Sequence, residues 1–371
     1  MKSRKSPEQR QLEFWTKRAR LAEILRASFR RRKYLELDTP TLVTAPGTEV
    51  HLQYFSTTWR DITGRDARLF LRSSPELHLK QALGAGARRV FSLGPCYRNG
   101  GEFTPWHHPE FTMLEWYRCG VSFNGFISET ITLLHECADK LGGTRGRLPK
   151  QFERWTVSDA FTEFAGLDLV DQDPQLAARA HAAGHRSVQA SDSFETAFFK
   201  ILIDCIEPAL ARMGGAVLMD YPPSQAALAK VEKGVAKRFE IYVGRVELCN
   251  GFLELLGERE NRTRLKEASD ARSKAGHEPI PMDEEFLTAM GKKIPPCCGN
   301  ALGFDRLLAL LLGERDLEMV VPFRNRSPWN LRPPLLDEQS GQALFDESFV
   351  ARSDGWQGRG RKHPQAGQKA R

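Results

Sequence analysis

Phe91 to Arg118 reads FSLGPCYRNGGEFTPWHHPEFTMLEWYR, and the fold turns on this stretch. It opens within an apolar run, Val90-Phe91-Ser92-Leu93, of strand character. A polar loop follows, with Arg98, Gly100-Gly101, Glu102 and the pair His107-His108. The chain returns through Phe111-Thr112-Met113-Leu114-Glu115-Trp116-Tyr117, where aromatic and branched residues favour a second strand. Two strands joined by a polar loop predict a hairpin. Both arms carry functional residue types. The planar fork of Arg98 suits an anionic phosphate. Phe111 offers a flat face to a base. Glu115 and Tyr117, two apart, point to one side of the sheet.

With 371 residues and 41% apolar content, the chain can bury one large core plus extensions. No window approaches the roughly 18 consecutive apolar residues of a membrane helix. The charged N-terminus (Lys2, Arg4, Lys5) is not followed by an apolar signal core. The seven cysteines contain no CxxC pair, and Cys297-Cys298 are adjacent, the wrong spacing for a usual zinc site. Reduced thiols and a cytoplasmic location are expected. The net charge of +7 invites nucleic acid, but much of the excess lies at the ends, as in Arg352, Arg359, Arg361, Lys362, Lys369 and Arg371. A basic tail is weak evidence for RNA binding.

Outward from the hairpin, Leu12, Trp15, Ala19, Leu21, Ala22, Leu25 and Phe29 recur at helical spacing up to Arg32. Leu35 and Leu37 then alternate as in a strand that Pro40 stops. Residues 1–11 read as a disordered lead-in. Leu69 to Leu71 reads as a strand, and Ser74-Pro75-Glu76 opens a helix: a capping serine, proline at the first helical position and an acid in the first turn. His181 and His185 lie one helical turn apart but lack a third metal ligand, so they read as a solvated face. Phe239 to Val243 and Val246 to Leu255 predict a second hairpin turned at Gly244-Arg245. Gly299-Asn300-Ala301-Leu302-Gly303-Phe304-Asp305-Arg306 places glycines before an apolar helix, which lets backbone approach a nucleotide closely. Residues 330–371 read as a mostly disordered basic tail.

In order, these stretches resemble the motifs of class II aminoacyl-tRNA synthetases of the lysine type. The helix and strand to Pro40 resemble motif 1, Arg98 through PEFTMLEWY motif 2, and the glycine-rich stretch to Arg306 motif 3. Glu247-Leu248-Cys249-Asn250-Gly251-Phe252-Leu253-Glu254-Leu255 matches the E-L-x-N-G-F-x-E-L pattern of that type. The resemblance implies an α+β catalytic domain over residues 12–329, a mostly antiparallel sheet flanked by helices, dimeric through motif 1. It implies adenylation with ATP and Mg2+, in which Arg98 and Arg306 are the catalytic cations. ATP would meet Arg98, Asn99, Glu102, His108, Phe111, Glu247, Leu248, Gly303 and Arg306. The amino acid would meet Ser74, Pro75, Glu76, Glu115, Tyr117, Asn250, Glu254 and Ala301. Glu247 and Glu254 would hold the metal.

Two departures shape the reading. The family has Arg-x-Glu and an Asn before Pro-Glu-Phe, whereas Arg98 here precedes Asn99-Gly100-Gly101-Glu102 and His108 replaces the Asn. The adenine contact therefore falls to Glu102 or to a glycine backbone, with Glu102 favoured. Ala301 stands at the middle glycine of motif 3, so its methyl should narrow the amino-acid pocket. No strand-rich segment of anticodon-barrel size precedes motif 1. Together with the E-W-Y form of motif 2, these features resemble the lysyl-tRNA synthetase paralogues that join (R)-β-lysine to a lysine of elongation factor P. That resemblance implies elongation factor P as acceptor, lysine or β-lysine as substrate and no specific tRNA or membrane partner, with the basic first helix available for docking. A truncated synthetase acting on tRNA or another small acceptor, and a non-catalytic regulator, are the competing readings; intact Arg98, Glu247, Glu254 and Arg306 oppose the regulator.

Overall fold

The computed structural model describes residues 6–47, 49–50, 52–100, 104–142 and 148–323. Glu102, residues 1–5 and the segment 330–371 lie outside the described residues. The chain begins with α1 (Pro7–Arg31), β1 (Leu35–Glu36), β2 (Leu42–Val43), β3 (Ser56–Arg60), β4 (Asp66–Leu71) and α2 (Glu76–Gly84). The first hairpin is β5 (Arg89–Tyr97) and β6 (Glu110–Cys119). Then come α3 (Phe123–Leu141), β7 (Glu153–Thr156), α4 (Val157–Ala160), α5 (Leu176–Ala182), α6 (Phe194–Ile201), α7 (Glu207–Met213) and β8 (Gly215–Tyr221). The last part holds β9 (Val231–Glu232), β10 (Val235–Val243), β11 (Val246–Leu253), α8 (Glu258–Lys274), α9 (Glu284–Met290), β12 (Cys297–Gly303) and α10 (Phe304–Leu312).

The main sheet runs β1-β5-β6-β12-β11-β10-β8-β7, with β9 on β10. Among the described residues only β1–β5 and β7–β8 pair in parallel. A three-stranded sheet, β2-β4-β3, lies apart. Alternation divides the hairpin arms between two faces. Leu114 and Trp116 point into the core with Leu21, Leu25 and Phe29 of α1, Phe126 of α3 and Leu307 of α10. Phe29 stacks on Phe91 with ring centroids 4.6 Å apart. The intervening residues Glu115 and Tyr117 face the other way, where Tyr117 packs with Leu79 and Leu83 of α2. The far end of the sheet is covered by α4 to α7, around Phe161, Phe198 and Tyr221. Among the described residues no helix is long and apolar enough to cross a membrane.

Residues 7–11, expected to be unstructured, are helical. Ser6 accepts from the Gln9 amide, Gln9 returns the bond to the Ser6 amide, and Pro7 and Glu8 occupy the first turn. This capping box starts the helix before its apolar periodicity begins. The basic side chains of α1, expected to serve docking, turn largely onto the chain itself. Lys17 bonds the Leu141 and Gly142 carbonyls at the end of α3, Arg10 pairs with Glu314, Arg26 with Glu36, and Arg18 with Asp305.

Candidate active site

The sheet face opposite the core carries two clusters of polar side chains. The first gathers at the start of α2. Ser74 Oγ donates to Glu115 Oε2 at 2.6 Å and accepts from the Glu76 amide at 2.9 Å. Pro75 sits at the N-cap, one position earlier in the helix than expected. Tyr117 donates its hydroxyl to Glu115 Oε1 at 2.5 Å, as their shared face allows. Lys80, only 1% exposed in its side chain, lies 2.7 Å from Glu76 Oε1 and 2.5 Å from Glu254 Oε2. Glu254 Oε1 is buried and has no hydrogen-bond partner among the described residues. A buried carboxylate oxygen left open in this way is a place for a donor.

The electrostatics follow from crowding acids out of water. Burial, with the charge of Glu76, pushes Glu115 up to about 8 against the hydrogen bonds from Ser74 and Tyr117. Burial raises Glu254 to about 7, with Lys80 opposing. Ala301 lies between Glu115 and Asn250 in strand register, so its methyl stands beside this cluster. Gly299, opposite Tyr117, admits no side chain: a Cβ there would fall within 2.3 Å of Glu254 Oε1 and Tyr117 Cε1.

The second cluster lies nearer the polar loop of the first hairpin. Phe111 shares a face of β6 with Glu115, and the seven residues of strand from Phe111 to Tyr117 span roughly 20 Å. The Arg98 guanidinium lies over the Phe111 ring, 5.3 Å from its centroid, on a face expected for a base. It also approaches Glu49 at 3.8 Å. Arg306, expected opposite Phe111, is held by the Glu247 carbonyl at 2.8 Å and the Trp106 carbonyl at 3.3 Å. Gly303 forms the N-cap of α10, and a Cβ there would meet Arg306 Cδ at 3.2 Å. Asn99 pairs with Gln53 across an isolated bridge, and His108 Nδ1 engages the Glu110 backbone. Asp305 accepts from the Thr112 amide at 2.7 Å and pairs with Arg18 at 2.5 Å, fixing the start of β6 against α1 and α10.

One sequence expectation needs correction. The pairing of β10 with β11 steps from Ile241–Cys249 to Tyr242–Glu247, leaving Leu248 as a bulge residue. Leu248 turns into the core, so its side chain does not line a nucleotide site. The same bulge restores alternation, so Glu247 and Asn250 both remain partly open to the site side. Glu247 and Glu254 have different partners within the chain. Glu254 belongs to the Lys80 cluster, whereas Glu247 lies 4.0 Å from Arg306. The carboxylate near Glu247 is Glu240. Burial and Glu240 push Glu247 upward against Arg306, although 41% of its side chain remains open, so solvent tempers the effect.

Sequence reading missed Lys80 and Glu240. Lys80 lies one helical turn from Glu76, a spacing visible in the sequence, but the same spacing serves ordinary surface pairs. Glu240 alternates with Arg238 and Tyr242, which bind it at 2.6 and 2.7 Å, while Asn250 Nδ2 donates to it at 3.3 Å.

Residues 4–327 match the family described as tRNA synthetases class II (D, K and N). A Vibrio cholerae protein named elongation factor P–(R)-β-lysine ligase is 34% identical over 315 residues, covering 82% of this chain and 93% of its own length. Proteins of the same name from Proteus mirabilis and Pasteurella multocida are 32% and 34% identical, covering 83% and 82% of this chain and 93% of their own lengths. The mostly antiparallel sheet, the motif 2 hairpin and the Arg306 helix are those of an ATP-dependent, synthetase-like ligase, and the chain belongs to the class II tRNA synthetase family of the D, K and N type, as a paralogue similar to those ligases.

Proposed function

We propose that this chain activates (R)-β-lysine, or lysine, as its adenylate and transfers it to a lysine side chain of elongation factor P. The observation that carries the substrate class is the Glu76–Glu115–Glu254 cluster, two buried acids and a half-buried one around one open carboxylate oxygen. Such a pocket favours a ligand with ammonium groups over an apolar amino acid. The names of the curated relatives support the acceptor.

In the first step a substrate carboxylate oxygen attacks the α-phosphorus of ATP, and pyrophosphate leaves. Arg98 and Arg306 would meet charge on the phosphates, preorganised by Phe111 and by the Glu247 and Trp106 carbonyls. Mg2+ fits beside Glu247, with Glu240 close by, because magnesium takes one or two carboxylates and completes its shell with phosphate oxygens and water. When bound it would neutralise phosphate charge. In the second step the acceptor lysine amine attacks the adenylate carbonyl, loses a proton and expels AMP.

A cytoplasmic homodimer accompanies this reading. Leu12, Leu35 and Leu42 are exposed on α1, β1 and β2, the motif 1 region through which the dimer would form. Light scattering on the purified protein tests it. The function itself is tested by intact-mass measurement of unmodified elongation factor P after incubation with this protein, ATP and each lysine isomer. A mass gain of one lysyl residue is the expected result. Charging of total tRNA with no gain on the protein acceptor would overturn it.

A further inference from the structure

We propose that Lys80 is a positioning residue that sets how many ammonium groups the pocket accepts, acting as a resident cation between Glu76 and Glu254 and leaving two charges for the substrate. This deepens the proposed function and rests on its reading of the amino-acid end of the site.

The groups facing this point can be taken element by element. Glu76 and Lys80 come from α2, Glu115 and Tyr117 from β6, Glu254 from the segment after β11. Cys297 contributes a thiol from β12, while Gly299 and Ala301 add no charge. Three carboxylates thus meet one cation, a surplus of two negative charges when all are ionised. An ammonium 1% exposed stays charged only when paired, and Lys80 is paired twice, at 2.7 and 2.5 Å. Burial draws its pKa down, but Glu254 and Glu76 outweigh burial and hold it above the ordinary lysine value. Its Nζ also sits 5.7 Å from the centroid of the Tyr117 ring, and Tyr117 donates to Glu115. One side chain therefore bears on all three acids.

The surplus matches a particular ligand. A diamino acid carries two ammonium groups and one carboxylate. Once that carboxylate is joined to phosphate, the aminoacyl part carries two positive charges, matching the surplus. A monoamine would leave one buried carboxylate uncompensated. Without Lys80, Glu254 would lose the charge that opposes its burial and would hold its proton to higher pH, blunting its grip on the ligand.

The test is amino-acid-dependent ATP–pyrophosphate exchange, which needs no acceptor, with wild type and K80M compared by thermal melting for folding. K80M should raise KM for the preferred lysine isomer by at least about tenfold. Its kcat and the KM for ATP should stay within about threefold of wild type. The KM of K80M should fall as pH is raised from about 7 to about 9, while wild type moves less, because the unpaired acids ionise. In K80A, millimolar ethylammonium should lower the lysine KM by filling the vacated site. Folded K80M with wild-type KM and pH profile would overturn the proposal, as would K80A showing no response to ethylammonium. If K80M does not fold, K80Q is measured in the same way against the same two criteria. Wild-type enzyme that activates no diamino acid would sink the proposed function together with this inference, whereas normal wild-type exchange with an indifferent K80M would sink the role of Lys80 alone.

Discussion

At the scale of single residues, the amino-acid end of the site is an arrangement of acids that the protein cannot fully satisfy by itself. Glu254 has an open buried oxygen, and Glu115 is held by two hydroxyls while pushed to about 8. Replacing Glu254 by Gln keeps the shape and removes the charge. We expect E254Q to weaken activation of lysine-like substrates by about a hundredfold, the loss of roughly 3 kcal/mol when a buried ammonium loses its counter-charge. The KM for ATP should change little, since the Arg98–Phe111 pair lies at the other end of the face. Pyrophosphate exchange at varied lysine and ATP separates the two constants, and equal losses for both would contradict the assignment. Ala301 yields a second residue-level expectation. Its methyl stands between Glu115 and Asn250, so A301G should open room beside the carboxylates and shift preference from β-lysine towards α-lysine. A difference of one methyl-sized group supplies roughly 1–3 kcal/mol, or about ten- to two-hundredfold. The ratio of kcat/KM for the two isomers, in wild type and variant, measures it. An unchanged ratio would remove Ala301 from the pocket.

At the scale of elements, most of the hairpin architecture was legible because strand residues alternate and turns announce themselves. Phe91 to Arg118 resolved into two arms with Glu115 and Tyr117 on one face, as read. The second hairpin turns where Gly244-Arg245 stand, with Gly244 at φ 57°, a conformation that glycine adopts freely. The bulge at Leu248 was not legible, since a bulge is defined by the pairing of two strands and not by either strand alone. Lys80 escaped for a similar reason: its partner Glu254 is far away in sequence and meets it only after β11 is laid into the sheet. Asp305 shows how such long-range ties hold the site. From the first turn of α10 it binds Arg18 of α1 and the Thr112 amide of β6, with 3% of its side chain exposed. D305A would strand a largely buried guanidinium and an unpaired amide. We expect a loss of about 3 kcal/mol, the lower end for a broken buried pair, because Arg18 keeps some contact with water. Urea denaturation should show a lower midpoint with an unchanged slope, and a midpoint equal to wild type would show that this tie contributes little.

At the scale of the whole molecule, the site makes stability depend on pH in a direction opposite to ordinary surface ion pairs. Glu115, Glu254 and Glu207 are raised from 4.5 to about 8, 7 and 7, in each case chiefly by burial. A raised carboxyl in the folded state means that the native protein holds protons which the unfolded chain has already released above its ordinary pKa. The stabilising contribution of these groups is therefore complete below about 4.5 and is lost as pH climbs through about 7 to 8. The carboxylates lowered by partners, such as Glu136 and Asp61 at about 2, contribute fully above their ordinary pKa and lose that contribution only in acid, well below this window. Between pH 6 and about 8.5 the ligand-free protein should accordingly melt at progressively lower temperature. A diamino acid reverses the sign locally, because its ammonium groups favour the ionised acids. The rise in melting temperature produced by saturating lysine isomer should then grow over the same interval. Differential scanning fluorimetry across that range, with and without ligand, measures both trends. E115Q should flatten the ligand-free slope by removing the most strongly raised group of the amino-acid cluster. A melting temperature independent of pH in the ligand-free protein, or a ligand effect that shrinks as pH rises, would mean that these acids are not held protonated by the fold.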